Sequence, residues 1–366
     1  MTFSQPLVAR HLFGPGPGNP YPEATAALGH PLLGHLDPAF LALMDETCDH
    51  LRQVWGTQNR RTLPLSATGS AGMEAGFVNT VEPGDVVVVG VNGLFGQRMC
   101  DVAARCGAEV IPVEFEWGTP VDPQALADAH PNPKVIAAVY AETSTGVRSD
   151  IKALGELKGD ALLLVDAVTA IGGIELEADA WGIDIGYAGT QKCLGVPPGL
   201  APFTIGERAW ERRVQKPQSW YLDLGLLGGY LDSEGSGGRT YHHTAPTAMV
   251  ASLNAGLERI LAEGLDTVIA RHEKAGRILQ EGLQEMGLEL FAQEGARLPD
   301  LTTVKVPEGV DAGAVRGELL DRFNLEIGAG AGKFATSVWR IGLMGPNASE
   351  DSAELVLAAL RAILKR

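Results

Sequence analysis

Residues 188–195 of this chain read AGTQKCLG, and one lysine, Lys192, stands there among small, uncharged residues. The stretch follows a strand-like run at residues 183–187 and precedes the glycine–proline turn VPPG at residues 196–199. Upstream, residues 162–166 read LLLVD, so an apolar strand ends in the carboxylate of Asp166. Ligands of parallel sheets bind at the carboxyl ends of strands. The sequence therefore predicts a site with an amine and a carboxylate at successive strand ends.

Around this stretch, short apolar runs alternate with helical patterns, which indicates a mainly parallel sheet covered by helices on both faces. The predicted strands are residues 63–66, 86–89, 109–113, 135–139, 162–165 and 183–187. The predicted helices are residues 37–57, 70–81, 95–106, 122–129 and 151–158.

The pattern changes near residue 248 and predicts a smaller α/β domain. Its expected helices are residues 248–263, 266–287 and 349–364, and its expected strands lie near 288–292, 301–305 and 337–341. A chain of 366 residues is long enough for two cores. We therefore expect an N-terminal segment at 1–20, a large domain at 21–247 and a small domain at 248–366.

Two glycine-rich segments are expected outside the regular elements. Residues 225–238 predict a mobile loop. Residues 11–20, which read HLFGPGPGNP, can be neither helix nor central strand, because proline lacks an amide donor and glycine makes a helix costly. They form either a flexible leader or a fixed loop that lines the site.

Composition limits the partners. The formal net charge of -16 argues against nucleic acid and anionic membranes. The four cysteines (Cys48, Cys100, Cys106 and Cys193) show no CxxC or zinc spacing, so we expect reduced thiols and no metal. Neither a signal pattern nor an apolar run of membrane-spanning length is present, which favours the cytoplasm.

A candidate phosphate site lies at residues 68–72, which read TGSAG between a predicted strand and helix. A helix N-terminus with hydroxyl side chains binds anions well, although an ordinary capped helix explains the same residues. The stretch matches neither the Gly-Lys-Ser/Thr loop of nucleotide-binding enzymes nor the Gly-x-Gly-x-x-Gly fingerprint. A nucleotide-binding α/β enzyme is therefore disfavoured.

The lysine and the carboxylate suit pyridoxal 5'-phosphate (PLP), because Lys192 could form a Schiff base and Asp166 could pair with the pyridinium nitrogen. Each has an ordinary alternative: Lys192 could be a surface lysine and Asp166 a helix cap. Arg340 lies in a strand pattern of the small domain. It is either a charged residue at the edge of a sheet or a planar guanidinium that binds a substrate carboxylate.

Together with several further short motifs, these residues resemble the class V, fold-type I PLP aminotransferases, close to the alanine–glyoxylate and serine–pyruvate aminotransferases. The resemblance extends from residue 14 to residue 345 and implies transamination between alanine or serine and glyoxylate or pyruvate. The matching motifs are EPGD (82–85), NGLFGQR (92–98), ETSTGV (142–147), LVDAV (164–168), QK (191–192), PPG (197–199), WYLD (220–223), YHHT (241–244) and RIGLMG (340–345).

The resemblance also implies roles for individual residues. Lys192 would carry the cofactor, Asp166 would hold the ring nitrogen, Phe95 and Val168 would pack on the two ring faces, and Thr143 would bond the side of the phenolic oxygen. Thr68, Gly69, Ser70 and Gln191 would hold the phosphate, while Tyr241 and Thr244 would reach the phosphate in the neighbouring subunit of a homodimer. Arg340 would bind the substrate carboxylate, and Gly16 would lie beside the substrate.

Two other functions stay open. A lyase or cysteine desulfurase on the same fold needs a mobile cysteine near the substrate, and such relatives usually carry histidine just before the lysine, where this chain has Gln191. A non-catalytic protein could have kept the fold and the cofactor. Some members of the family that this chain resembles have Ser-Gly-His at the positions of Thr68, Gly69 and Ser70. We therefore expect the phosphate-binding site of this chain to differ in shape from theirs.

Overall fold

The computed structural model describes residues 8–231 and 239–365, and a seven-stranded sheet forms its centre. Within these residues the strands are β1 (His11–Leu12), β2 (Arg61–Leu65), β3 (Val86–Val91), β4 (Glu109–Glu114), β5 (Val135–Val139), β6 (Ala141–Glu142), β7 (Val147–Arg148), β8 (Leu162–Asp166), β9 (Ile185–Tyr187), β10 (Ala201–Ile205), β11 (Leu301–Lys305), β12 (Leu325–Glu326), β13 (Gly328–Ala329) and β14 (Val338–Gly342). The helices are α1 (Pro22–Ala27), α2 (Pro38–Trp55), α3 (Gly69–Val78), α4 (Leu94–Arg105), α5 (Pro123–Asp128), α6 (Ile151–Leu157), α7 (Glu207–Glu211), α8 (Leu224–Leu231), α9 (Thr247–Glu263), α10 (Leu265–Glu285), α11 (Ala312–Phe323) and α12 (Glu350–Leu364).

The central sheet has the strand order β2, β10, β9, β8, β5, β3, β4. The five strands from β9 to β4 run parallel, whereas β10 is antiparallel to both of its neighbours. Every residue of β5 and β8 is buried, as expected for interior strands of a parallel sheet. The prediction of an α/β fold with a mainly parallel sheet is confirmed.

The register of the sheet assembles one edge from several strand ends. Asp166, the last residue of β8, pairs in register with Tyr187, the last residue of β9, and with Val139 at the end of β5. The chain leaves β9 at Tyr187 and reaches Lys192 five residues later. The carboxylate and the lysine therefore lie at the same edge of the sheet.

A second apolar core surrounds a three-stranded antiparallel sheet with the order β11, β14, β13. Helices α10 and α11 both contact α12 beside it. Phe13 from the N-terminal segment belongs to this core, and its carbonyl accepts a hydrogen bond of 2.8 Å from the amide of Gly342. The N-terminal segment is thus held against the small sheet before it continues toward Lys192.

The predicted strand at residues 288–292 is wrong, because the structure contains only a single bridge there, between Leu290 and Val304. The amide of Gln293 instead donates to the carbonyl of Gly118, so the chain turns away from the small sheet after one paired position. The remaining strands predicted for this part of the chain, at 301–305 and 337–341, are present as β11 and β14.

The loop predicted at residues 225–238 is wrong for its first half, where residues 224–231 form helix α8. Leu224, Leu227 and Tyr230 recur every three residues and are buried. Burial of this apolar face outweighs the low helix propensity of the glycines between them. Residues 232–238 of the same prediction lie outside the described residues.

No helix in the described ranges is long and apolar enough to cross a membrane.

A buried histidine in α10 predicts how stability responds to acid. His272 of α10 is fully buried, its Nδ1 lies 2.8 Å from the carbonyl oxygen of Val268, and its Nε2 accepts from the amide of Gly345 at 3.0 Å. Burial lowers the pKa of His272 to about 4. The unfolded chain, with an ordinary histidine pKa of about 6.5, therefore binds the proton first as pH falls.

Stability should consequently fall as pH decreases from about 6.5 to about 4, by at most about 3 kcal/mol from this residue. Urea unfolding at pH 7 and pH 4.5 measures the change, and His272→Gln should lose less free energy of unfolding between the two pH values than the wild type. Equal losses in both proteins would contradict this assignment.

Candidate active site

A cavity of about 200 Å³ opens at the edge of the sheet where β8 and β9 end. Its walls come from the start of α3, from α4, from the ends of β8 and β9, and from the loop that carries Lys192. The lining residues are Thr68, Gly69, Ser70, Met73, Phe95, Arg98, Asp166, Val168, Tyr187, Gln191 and Lys192. Eight of these eleven residues were singled out from the sequence.

The N-terminus of α3 faces this cavity. Thr68 occupies the N-cap position with extended backbone, and its side chain makes no capping hydrogen bond. At Gly69 a Cβ atom would lie 3.0 Å from Val168 Cγ2 and 3.2 Å from the carbonyl oxygen of Ala188, so a larger residue would require these neighbours to move by a few tenths of an ångström. A helix N-terminus with free polar groups attracts an anion.

Gln191 adds a polar group to the same cavity. Its Oε1 is buried and has no hydrogen-bond partner within the described residues. A buried polar atom normally has a partner, and a rotated amide would present its two N–H donors instead. The unpaired amide beside a helix N-terminus therefore fits a phosphate group as the missing partner.

Asp166 is almost completely buried and is held in one orientation. Its Oδ1 accepts from the amide of Val168 at 2.8 Å, and its Oδ2 accepts from the hydroxyl of Tyr187 at 2.8 Å. Burial raises the pKa of Asp166 to about 6, while these two hydrogen bonds and the nearby Lys192 act in the opposite direction. A cation in the cavity would therefore be held strongly by this carboxylate.

Lys192 is 7% exposed, and its ammonium donates to the carbonyl oxygen of Pro15. Burial lowers the pKa of Lys192 to about 8. The N-terminal segment packs tightly on it, because a Cβ on Gly16 would lie 2.6 Å from Nζ, and the amide of Gly18 donates to the carbonyl of Gln191 at 2.9 Å. A lysine with a lowered pKa in a closed site is suited to nucleophilic and proton-transfer chemistry.

Arg340 lies beyond the cavity wall, on β14. Its Nε donates to the carbonyl of Ala329 at 2.7 Å, and its Nη1 reaches the carbonyl of Thr143 at 3.4 Å. Burial lowers the pKa of Arg340, and its charge in turn acts on Lys192. The Thr143 hydroxyl lies 2.6 Å from that of Thr169. The structure thus places an arginine from the small sheet within electrostatic range of the lysine.

Phe95 lines the cavity from the first turn of α4. Its amide donates to Oε2 of Glu142 at 3.1 Å, and Oε1 of that buried carboxylate accepts from the amide of Ser144 at 3.0 Å. Glu142 therefore fixes the start of α4 against the turn that contains Thr143.

Tyr241 and Thr244 do not line the cavity. Tyr241 is 58% exposed, its hydroxyl lies 3.4 Å from the Thr244 hydroxyl, and its ring lies 5.1 Å from that of His35. Close by, His243 Nε2 lies 2.7 Å from the hydroxyl of Ser66, two residues before Thr68. The pair therefore stands on an exposed surface next to the strand end that leads into the cavity.

Sequence reasoning missed three lining residues, Met73, Arg98 and Tyr187. Tyr187 could have been found, because it ends the strand that neighbours Asp166. Arg98 lies three residues after Phe95 in α4, its guanidinium carbon is 4.9 Å from the Phe95 ring centroid, and its Nη1 is 3.3 Å from the Ser70 hydroxyl. Helical spacing alone indicated that Arg98 and Phe95 share a face.

A lysine of lowered pKa, a buried carboxylate at the neighbouring strand end and an anion-binding helix N-terminus together define a PLP-dependent enzyme of fold type I. The model of the aminotransferase class-V family matches residues 19–351. The chain belongs to this family and is a PLP-dependent aminotransferase.

Named relatives match nearly the whole chain. It is 38% identical to the (S)-ureidoglycine–glyoxylate transaminase of Bacillus subtilis, covering 98% of this chain and 91% of the relative. It is also 38% identical to the alanine–glyoxylate aminotransferase of Drosophila melanogaster, covering 98% and 94%. A solved structure of alanine–glyoxylate aminotransferase from Nostoc sp. is 45% identical, with a TM-score of 0.95 and coverage of 100% and 97%.

Proposed function

We propose that this protein moves an amino group from a small amino acid, alanine or serine, to a small 2-oxo acid, glyoxylate or pyruvate, by a ping-pong mechanism. The main support is the cavity that both Lys192 and Asp166 line, with Arg340 close enough to lower the pKa of the lysine. Relatives named for alanine–glyoxylate and ureidoglycine–glyoxylate transfer support glyoxylate as the acceptor.

The lining residues suit the parts of PLP. Thr68, Gly69, Ser70 and Gln191 would hold the phosphate at the start of α3, where the helix dipole favours an anion. Phe95 and Val168 would pack on opposite faces of the ring. Thr143, which does not line the cavity, would bond the side of the phenolic oxygen.

When bound, PLP supplies an aldehyde that condenses with amines and a pyridinium ring that accepts electrons. Asp166 would keep the proton on the ring nitrogen, because a buried carboxylate fixed by Tyr187 and Val168 gains most from a facing cation. Lys192 would bind the cofactor through Nζ and then, as a free amine, move the proton at the substrate's α-carbon. Its pKa of about 8 is close to the pH at which such a base works well.

Arg340 would bind the α-carboxylate of every substrate. Gly16 would lie beside the substrate, since its lack of a side chain allows the backbone to approach Lys192 closely. The planar guanidinium can hold a carboxylate through two parallel hydrogen bonds, which an ammonium cannot do.

The substitution Arg340→Lys should therefore raise KM for amino donors and 2-oxo acid acceptors alike, by about tenfold to a hundredfold. Steady-state kinetics with each substrate varied in turn measures this, and Arg277→Lys, an exposed position on α10, is the matched control. Unchanged KM values, or an effect on one substrate only, would contradict the carboxylate role.

A homodimer would complete the site. Tyr241 and Thr244 would bind the phosphate in the partner subunit, and their exposed position beside Ser66 and Tyr221 supports an interface there. Sedimentation analysis of the purified protein tests the assembly, and a monomer with full activity would contradict it.

A desulfurase finds less support in the described residues. There no cysteine lines the cavity, and Cys193 is fully buried, with its thiol directed toward Asp300 and Thr169. Sulfur transfer requires a mobile cysteine near the substrate.

The function is tested by an activity matrix with added PLP. Alanine, serine, (S)-ureidoglycine, aspartate and cysteine serve as donors, and glyoxylate, pyruvate and 2-oxoglutarate serve as acceptors. We expect the fastest transfer from alanine or serine to glyoxylate. Sulfide release from cysteine without amino transfer would favour the lyase, and tight cofactor binding without turnover would favour a non-catalytic protein.

The proposal also covers the division of the chain into domains and the cellular compartment of the protein. Of the N-terminal segment 1–20, residues 8–20 would line the site, and residues 1–7 lie outside the described residues. Residues 21–247 would bind the cofactor, and residues 248–366 would carry the substrate arginine. Cys48, Cys100, Cys106 and Cys193 are all free thiols, which supports a reducing compartment such as the cytoplasm.

A further inference from the structure

A buried thiol–carboxyl pair adjoins the loop that carries Lys192. The thiol of Cys193, the next residue, donates to Oδ2 of Asp300 at 3.0 Å and lies 3.2 Å from the carbonyl of Thr169. Both Cys193 and Asp300 are fully buried and neither lines the cavity. The second oxygen, Oδ1 of Asp300, has no hydrogen-bond partner within the described residues. A buried carboxyl with an unpaired oxygen costs free energy of folding. We therefore expect this carboxyl to contribute to the function of the enzyme.

Asp300 connects the lysine loop with the sheet that carries Arg340. It immediately precedes β11, and its carbonyl accepts from the amide of Leu343, just after β14, at 2.9 Å. The pair is also enclosed, because a Cβ on Gly173 would lie 2.5 Å from Cys193 Sγ and 3.2 Å from Asp300 Oδ2. The carboxyl therefore has a fixed place relative to the lysine loop.

Burial and the neighbouring charges together decide the protonation of the pair. Burial, with the neighbouring Asp300, raises the pKa of Cys193 well above the ordinary value, so the thiol keeps its proton and donates it. Burial raises the pKa of Asp300 to about 6, with Cys193 and Lys192 acting to lower it and Glu273 of α10 acting to raise it. At neutral pH Asp300 is therefore a carboxylate within electrostatic range of the ammonium of Lys192.

We propose that Asp300 is a positioning residue for Lys192, which anchors the lysine loop through Cys193 and supplies a second negative charge to the lysine ammonium. A second negative charge is needed because a cation bound to Asp166 would neutralise that carboxylate, while Arg340 would still disfavour a positive charge on Lys192. Asp300 lies outside the cavity, so the same cation would not neutralise it. The inference rests on the proposed role of Lys192 as the amine that moves the substrate proton.

The test measures the protonation of Lys192 directly in the cofactor-free protein. Acetylation by a trace of acetic anhydride is followed from pH 6 to pH 11, and mass spectrometry quantifies labelling of the peptide that contains Lys192. Labelling of the exposed Lys152 in the same samples is the internal reference. The substitution Asp300→Asn preserves shape and an acceptor for the thiol but removes the charge. We expect it to lower the midpoint for Lys192 by about 0.5 to 1 pH unit.

Two controls separate this effect from a general loss of stability. Cys193→Ser keeps a donor toward Asp300 and should leave the midpoint unchanged. Asp311→Ala removes the side chain that caps α11 and should destabilise the small domain without moving the midpoint. An unchanged midpoint in Asp300→Asn, or an equal shift in Asp311→Ala, overturns the proposal.

Folding of each variant is checked by circular dichroism, and Asp300→Ser repeats the measurement with a smaller side chain. Failure of both Asp300 variants to fold would show that the carboxyl serves the core instead, and would also overturn the proposal. The labelling needs no cofactor and no turnover. A lack of amino transfer in the substrate matrix would therefore refute the proposed function separately.

Discussion

Replacement of Lys192 by alanine is expected to reduce amino transfer by at least about 10³-fold, because no other described amine lines the cavity to move the substrate proton. The same variant should lose the near-visible absorbance that the wild type gains when PLP binds covalently. Single-turnover kinetics and absorbance spectra measure the two losses separately.

Lys152→Ala, an exposed position on α6, is the matched control and should retain both signals. If Lys192→Ala kept the absorbance and full turnover, the assignment of Lys192 would be wrong. If it lost turnover but kept the absorbance, a different amine would carry the cofactor.

The second large effect is expected from Asp166→Asn, which should fold but lose activity by about 10²-fold or more. An asparagine fills the same space and can still exchange hydrogen bonds with Tyr187 and the amide of Val168, so stability should change little. What it cannot supply is the negative charge that keeps the ring nitrogen protonated. Activity assays with saturating PLP separate this effect from weaker binding of the cofactor.

The pH dependence of cofactor binding gives a second readout for Asp166. Because burial raises the pKa of Asp166 to about 6 in the cofactor-free protein, acid below that value should neutralise it and weaken PLP binding. Fluorescence titration with PLP between pH 5 and pH 8 should show this loss in the wild type and not in Asp166→Asn. Asp150→Asn, which removes the charge of an exposed carboxylate outside the cavity, is the control. Identical profiles in Asp166→Asn and the wild type would contradict the role.

Much of the fold could be predicted because its signals are local. The strands at residues 135–139 and 162–166 are uninterrupted apolar runs, as strands buried on both faces must be. Helix α2 begins at the capping side chain of Asp37 and ends where Gly56 adopts a left-handed conformation, and both signals stand in the sequence. Where tertiary packing decided the outcome, prediction failed, as for α8 and the segment at 288–292.

The sequence by itself determined the α/β class, the strand end at Asp166, the loop with Lys192 that follows the next strand, and the helix start at Thr68. These depend on hydrophobic periodicity and on residues adjacent in the chain. Only the tertiary structure brought Pro15 and Gly16 onto Lys192, Arg340 to the carbonyl of Thr143, and Asp300 to the thiol of Cys193. Each of these contacts joins residues more than 100 positions apart. Such contacts are set by how two cores pack against each other, which no local pattern encodes.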